Sequence, residues 1–144
     1  MTDTTNRAVP YAALLLRLAL GIMYLTHSII LKVMTFGVAG TVQFFQSIGL
    51  PGPLAYATIV AEVLGGLALV LGWRSREAAL ALTPILLGAL WVHSGNGWVF
   101  TSPNGGWEYP LFLIVASLAQ ALLGDGAFSL GAAKHSSLSP SSAH

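Results

Sequence analysis

Four long apolar runs, each closed by turn-forming residues, constrain this chain more than any other feature. They extend from Tyr11 to Ile30, Leu54 to Leu71, Ala78 to His93 and Tyr109 to Leu123. A helix needs about 20 mostly apolar residues to cross roughly 30 Å of hydrocarbon. The last two runs are shorter. A helix of about 16 residues covers about 24 Å, which suffices when flanking residues extend it or the bilayer thins. The runs are continuous rather than alternating, which favours helices over a barrel. The expected fold is all-α: a four-helix transmembrane bundle with a short interfacial helix between the first and second helices.

Composition supports lipid as part of the solvent. Of the 144 residues, 55% are hydrophobic and 8% charged, against about a quarter charged in a soluble domain. A domain this small buries only roughly two-thirds of the surface its unfolded chain exposes, so it has nowhere to hide that much apolar area. The net charge of +1, with no basic run, gives no reason to expect nucleic acid as a partner. There are no cysteines, so disulfides, thiolate metal sites and cysteine redox chemistry within this chain are excluded. The N-terminus does not read as a cleavable signal, because its apolar run starts after Pro10, contains Arg17 and lacks a small-residue cleavage site.

The punctuation divides the chain into a tail over residues 1–10, a membrane domain over 11–126 and a disordered C-terminal tail over 127–144. Pro51-Gly52-Pro53, the Gly72–Arg76 segment, Gly95–Gly106 and Gly124-Asp125-Gly126 are turn chemistry. The stretch from Lys32 to Leu50 is too polar to span. Within it, residues 41–48 place Val42, Phe45 and Ile48 on one helical side and Gln43, Gln46 and Ser47 mostly on another. That pattern fits a short helix lying in the membrane interface. Arg7, Arg74, Arg76 and Lys134 fall on one side of the four crossings, and Lys32 alone on the other. The positive-inside rule then puts both termini in the cytoplasm. Trp91, Trp98, Trp107 and Tyr109 gather at the opposite end, as an aromatic belt does. Small residues at Ala61/Gly65, Gly66, Ala68/Gly72 and Ser117/Ala121 mark faces where helices approach closely.

Ionisable groups within a span cost several kcal/mol unless paired or wetted. Glu62 stands about 12 Å from the outer end of the second helix, and Arg17 about 9 Å from the inner end of the first. His27, Lys32, Glu62, His93 and Glu108 come from all four helices and converge in the outer half. The candidate catalytic cluster is therefore Glu62, His27, His93 and Glu108, with Arg17, Lys32, Trp91 and Trp107 as candidate binding residues. Glu62 is expected to pair with Arg17 or His27. It reads equally as an interhelical ion pair that fixes register. The two histidines also read as interfacial hydrogen-bonding residues, and Lys32 and Glu108 as solvated helix ends. No metal is expected: carboxylate-bridged di-iron bundles draw Glu-x-x-His from each of two helices, and that motif is missing here. Two lone histidines at similar depth are too loose a constraint to imply haem.

Taken in order, Arg17-Leu-x-x-Gly21, His27, Lys32, Phe44-Phe45, Gly49-Leu50-Pro51, Glu62-x-x-Gly65-Gly66, Gly72, Arg74/Arg76 before Ala78-Ala79, His93, Glu108 and Gly124-Asp-Gly126 resemble the DoxX family of small inner-membrane proteins. The likeness covers roughly residues 11 to 126. It implies a membrane subunit of a redox complex, since some members resemble the small subunit of a thiosulfate:quinone oxidoreductase. Others are linked to a membrane complex that handles oxidative stress. With no cysteine in this chain, thiol chemistry comes from a partner oxidoreductase subunit. The leading expectation is a quinone held in the outer-half pocket. Glu62, His27 or His93 would exchange protons with it, because histidine titrates near neutral pH, and Trp91 and Trp107 would line its ring. The alternatives are a non-catalytic scaffold or assembly factor and, with no inverted repeat between the halves, a small transporter. Either could form a homo-oligomer.

Overall fold

The computed structural model describes residues 3–131, and every regular element in them is helical. Helix α1 (Asp3–Leu25) runs without a break into a wider, π-helical stretch over Thr26–Thr35. Helices α2 (Gly37–Ser47), α3 (Gly52–Leu71), α4 (Ser75–His93) and α5 (Glu108–Leu123) follow. Three helical stretches are long and apolar enough to cross a membrane: Arg7–Thr35, Gly52–Leu71 and Ser75–His93. Helix α5 is apolar and shorter. The architecture is the expected four-helix bundle with one extra short helix. Helix α1 packs on α3 and α5, and α4 packs on α5 and α3.

Two ends of the bundle have distinct characters. The arginine end carries the α3–α4 turn with Arg74 and Arg76, the close of α5 and the segment after it. The aromatic end carries Trp91, Trp98, Trp107 and Tyr109. Trp98 and Trp107 meet edge to face there, with ring centroids 4.4 Å apart.

The first helix departs from expectation at both ends. It begins at Asp3 rather than Tyr11, so the first ten residues are not all tail. It continues past Ile30 to Thr35 because the backbone hydrogen bonds widen from i−4 to i−5, as with Phe36 N donating to Leu31 O (2.8 Å). Such stretches are usually single turns and often lie at functional sites.

Helix α2 starts four residues before the expected 41–48 helix. It packs on α3 and on the π-helical stretch rather than lying apart from the bundle. Gly37 (φ 73°) and Gly49 (φ 82°) turn the chain at its two ends, in a conformation that disfavours any side chain. Thr41 holds α2 in place. It is buried, and its hydroxyl lies within hydrogen-bonding distance of Lys32 O (2.9 Å) and Gly37 O (3.0 Å).

The α1–α3 contact depends on glycine at both faces. A Cβ at Gly21 would stand 2.8 Å from Gly66 O, and one at Gly66 would stand 3.1 Å from Gly21 O. Gly66 is one of the small residues the sequence marks for close approach. Gly65 faces the other way, onto Leu82 of α4. The apolar core joins Leu20, Leu69, Leu82, Leu86, Leu113 and Ile114 across the four long helices.

After α5, the segment expected to begin a disordered tail is packed as far as residue 131. Ala127 N donates to Pro10 O (2.9 Å), and Gly131 N donates to Gly72 O (3.1 Å). The rest of that tail, including the serine-rich stretch from Ser136 to His144, lies outside the described residues.

Candidate functional site

Glu62 and Lys32 form the centre of the site. Glu62 sits ten residues into α3, about 15 Å from its start, and is buried. Lys32 Nζ donates to both carboxylate oxygens, at 2.8 Å to Oε1 and 2.6 Å to Oε2. Ser28 Oγ, fully buried one turn earlier, donates to Oε2 at 2.8 Å. A carboxylate removed from water needs its lone pairs filled, and three donor contacts fill them here.

This pairing corrects the expected one. Arg17 does not reach Glu62. Its guanidinium donates to Leu69 O (3.0 Å) and Val70 O (2.6 Å) in the last turn of α3, and to Ala127 O (2.8 Å) and Phe128 O (3.1 Å) after α5. Leu69 lies seven residues beyond Glu62, about 10 Å along the helix. Arg17 therefore fastens the arginine end together, capping the negative end of the α3 dipole. Lys32 is no solvated helix end, because the π-helical stretch carries it back against α3.

Beside the ion pair lies a cavity of about 440 Å³. All five helices contribute to its wall: Tyr24 from α1 and His27 from the π-helical stretch that continues it, Phe44 and Phe45 from α2 with Ile48 at its end, Leu54 and Thr58 from α3, Ile85, Gly88 and His93 from α4, and Tyr109 and Leu113 from α5. The wall is apolar apart from the ion pair, the two histidines and a few hydroxyls, the usual make-up of a small-molecule site. Phe44 on α2, Leu54 on α3, and Pro84 and Gly88 on α4 line the cavity and are also exposed on the flank of the bundle. The cavity thus opens sideways, between α2 and α4.

His27 and His93 both line the cavity. His27 Nδ1 lies 3.0 Å from Met23 O, which only accepts, so Nδ1 carries the hydrogen and Nε2 is the remaining acceptor of the neutral ring. Its ring stacks on Tyr109, with centroids 6.4 Å apart. His93 Nδ1 lies 3.1 Å from Gly105 O and ties the end of α4 to the connection that follows. Glu108 is elsewhere. Its Oε1 accepts from Phe100 N (2.8 Å), and it lines a separate open groove with Trp98, Phe100 and Phe112. Trp91 is exposed on α4, Trp107 packs on Trp98, and neither lines the cavity.

The structure therefore brings together Glu62, Lys32, His27 and His93. It separates Arg17, Glu108, Trp91 and Trp107 from them. Sequence reasoning missed Ser28, Tyr24 and the walls supplied by α2. One signal was available: Tyr24, Ser28 and Lys32 recur every four residues and so share a helix face.

The DoxX family model matches residues 12–95, which include α1 from residue 12 onward, the π-helical stretch, α2, α3 and α4. The Bacillus subtilis (strain 168) protein named "Putative oxidoreductase CatD" is 31% identical over 121 residues, covering 83% of this chain and 84% of the relative. No solved structure matches significantly. With the family model matched over more than half of the chain and that relative over most of it, this helical bundle is a membrane protein of the DoxX family.

Proposed function

We propose that this chain is the membrane subunit of an oxidoreductase system and that its cavity takes a quinone or a similar lipid-soluble carrier. The observation that carries this reading is the cavity itself. It is apolar, it opens on the lipid-facing flank between α2 and α4, and a buried carboxylate and a histidine stand on its wall. A carrier that travels within the bilayer enters by such a side opening without crossing water. Reducing a quinone takes two electrons and two protons. Electrons come from a partner oxidoreductase, because this chain has no cysteine of its own for thiol chemistry. Protons reach the ring oxygens from groups on the wall, of which His27 and the Glu62–Lys32 pair are the candidates. The oxidoreductase in the name of the Bacillus subtilis relative supports the redox side of the reading. The arginine end, with Arg7, Arg74 and Arg76, faces the cytoplasm of a cell inner membrane under the positive-inside rule.

The test is binding of a short-chain benzoquinone to purified protein, followed by quinone-dependent turnover in membranes with Glu62→Gln. Binding that weakens severalfold in the variant, with slowed turnover, is expected. Parental turnover in Glu62→Gln removes the proposal.

One observation favours a second reading, a non-catalytic scaffold. Both oxygens of Glu62 are already occupied by Lys32 and Ser28, as in a pair that only fixes helix register. Under that reading no quinone binds, and partner proteins still co-purify with the Glu62→Gln chain.

A further inference from the structure

The seam between α1 and α5 is polar along a line where a membrane bundle has most reason to be apolar. On α1, Arg17 and Tyr24 are each 1% exposed, and on α5, Ser117 and Gln120 are both 0% exposed. The Tyr24 and Ser117 hydroxyls lie 3.4 Å apart and share a hydrogen. Gln120 follows Ser117 by three residues and so neighbours it on the same face of α5.

At the arginine end, Gln120 Nε2 donates to Gly124 O (2.7 Å), and the next residue, Asp125, accepts from Ser75 N (2.7 Å). Three buried atoms there find no hydrogen-bond partner among the described residues: Gln120 Oε1, Arg17 Nε and Ser75 Oγ. Buried polar atoms are nearly always paired, by water where the protein offers nothing. Adhesion between helices gives no reason for such atoms, since a half-satisfied buried network weakens the packing it sits in. Gln120 Oε1 and Arg17 Nε mark where water belongs in the seam, and Ser75 Oγ marks a further place for it at the start of α4.

At its other end the seam meets the cavity. Tyr24 and Glu62 both line the cavity wall, so the Tyr24–Ser117 contact reaches the cavity that holds the carboxylate. Lys32, His27, His93 and Tyr109 are the other titratable groups on that wall.

We infer that the α1–α5 seam is a proton route from the arginine end of the bundle to Glu62 and the cavity. Water at the arginine end is the source. Ser117 and Tyr24 each pass one hydroxyl proton toward the cavity and take one from behind, so both return to their starting state. Gln120 holds water in line and keeps its own protons. The sink is the Glu62 carboxylate or an oxygen of the bound carrier, and no electron moves in this step. The purpose of the route rests on reading the cavity as a carrier site, but its test uses no carrier.

The test uses the full chain in proteoliposomes of one orientation, with pH set separately on each side. Dicyclohexylcarbodiimide is the probe. It adds to protonated carboxyl groups within a bilayer, and peptide mass spectrometry reads the Glu62 adduct. The labelling rate is expected to follow the pH on the arginine-end side alone. Tyr24→Phe and Gln120→Met, which keep volume, are each expected to cut that response about tenfold or more, the scale on which losing a positioned proton relay acts. Labelling that follows the opposite side, that neither substitution changes, or that occurs at no pH overturns the inference. The sidedness of the parent chain decides the matter even if a variant fails to assemble. A failure of quinone binding leaves that sidedness unchanged, so the two proposals fail separately.

Discussion

Lys32 Nζ lies 2.6 Å from Glu62 Oε2, bridging the π-helical stretch and α3 with both partners largely withdrawn from the surface. The pair joins two elements that α2 also covers, so it sets the position of the cavity wall as well as its charge. Its strength comes from completeness. Lys32 and Ser28 together fill the carboxylate, and the cost of removing either charge alone is that the other is left behind.

That asymmetry gives the first prediction. Lys32→Met leaves an unpaired carboxylate whose side chain is 5% exposed, and is expected to lower stability by about 3 kcal/mol. Lys32→Met combined with Glu62→Gln leaves no lone charge and is expected to recover most of that loss. Unfolding of the purified proteins in detergent measures both. Equal losses in the single and double variants would show that the pair contributes through packing rather than charge.

A second prediction concerns the α1–α3 contact. Gly21→Ala places a methyl group 2.7 Å from Val70 Cγ2 and 2.8 Å from Gly66 O. A carbonyl in a helix does not swing aside as a side-chain tip does, so the helices must separate. A loss of about 1–3 kcal/mol is expected, the usual cost of overpacking. Leu15→Ala on the exposed face of α1, 69% exposed, is the control and is expected to change little. Thermal melting of both proteins compares them directly.

The bundle was legible in the sequence because lipid imposes a length and a polarity on every crossing, and the glycines that end each run are local signals. The buried position of Glu62 was legible for the same reason. The pairings were not, because they depend on where α1 starts and stops. Starting it at Tyr11 set Arg17 within reach of Glu62. With the helix beginning at Asp3, Arg17 is level with the last turn of α3 instead. Ending it at Ile30 left Lys32 outside, whereas the π-helical stretch keeps it in the bundle, and no residue pattern announces a change from i−4 to i−5 bonding. Trp91 and Trp107 were misplaced for another reason. In a membrane bundle the outer surface is as apolar as the core, so hydrophobicity does not say which helix face turns inward.

Arg17 yields a third prediction. Its guanidinium contacts four carbonyls from two separate segments, a geometry that suits a planar fork and not a single ammonium. Arg17→Lys is expected to loosen the segment after α5 although charge is kept. Amide hydrogen exchange over residues 124–131 is expected to rise, with little change over α2. Asp125→Ala removes the acceptor for Ser75 N at the start of α4 and is expected to cost about 1 kcal/mol, as lost helix N-caps do. Protection of residues 124–131 that survives Arg17→Lys would place the fastening elsewhere.

Gly88 allows the cavity to be tested without touching any polar group. It lies on α4, lines the cavity, and a Cβ there meets no atom within 4 Å. Leucine at this position therefore fills open space rather than forcing helices apart. Replacing an interior helix glycine also removes a backbone penalty of up to about 1 kcal/mol. Gly88→Leu is expected to keep or slightly raise the melting temperature while weakening quinone binding by at least about tenfold, since the ring and the new side chain compete for one volume. A structural role for the cavity predicts the same melting result and no loss of partner association. A carrier role predicts that binding and turnover fall together in a protein that is otherwise intact. Quinone binding at the parental affinity in a well-folded Gly88→Leu protein would place the carrier outside this cavity.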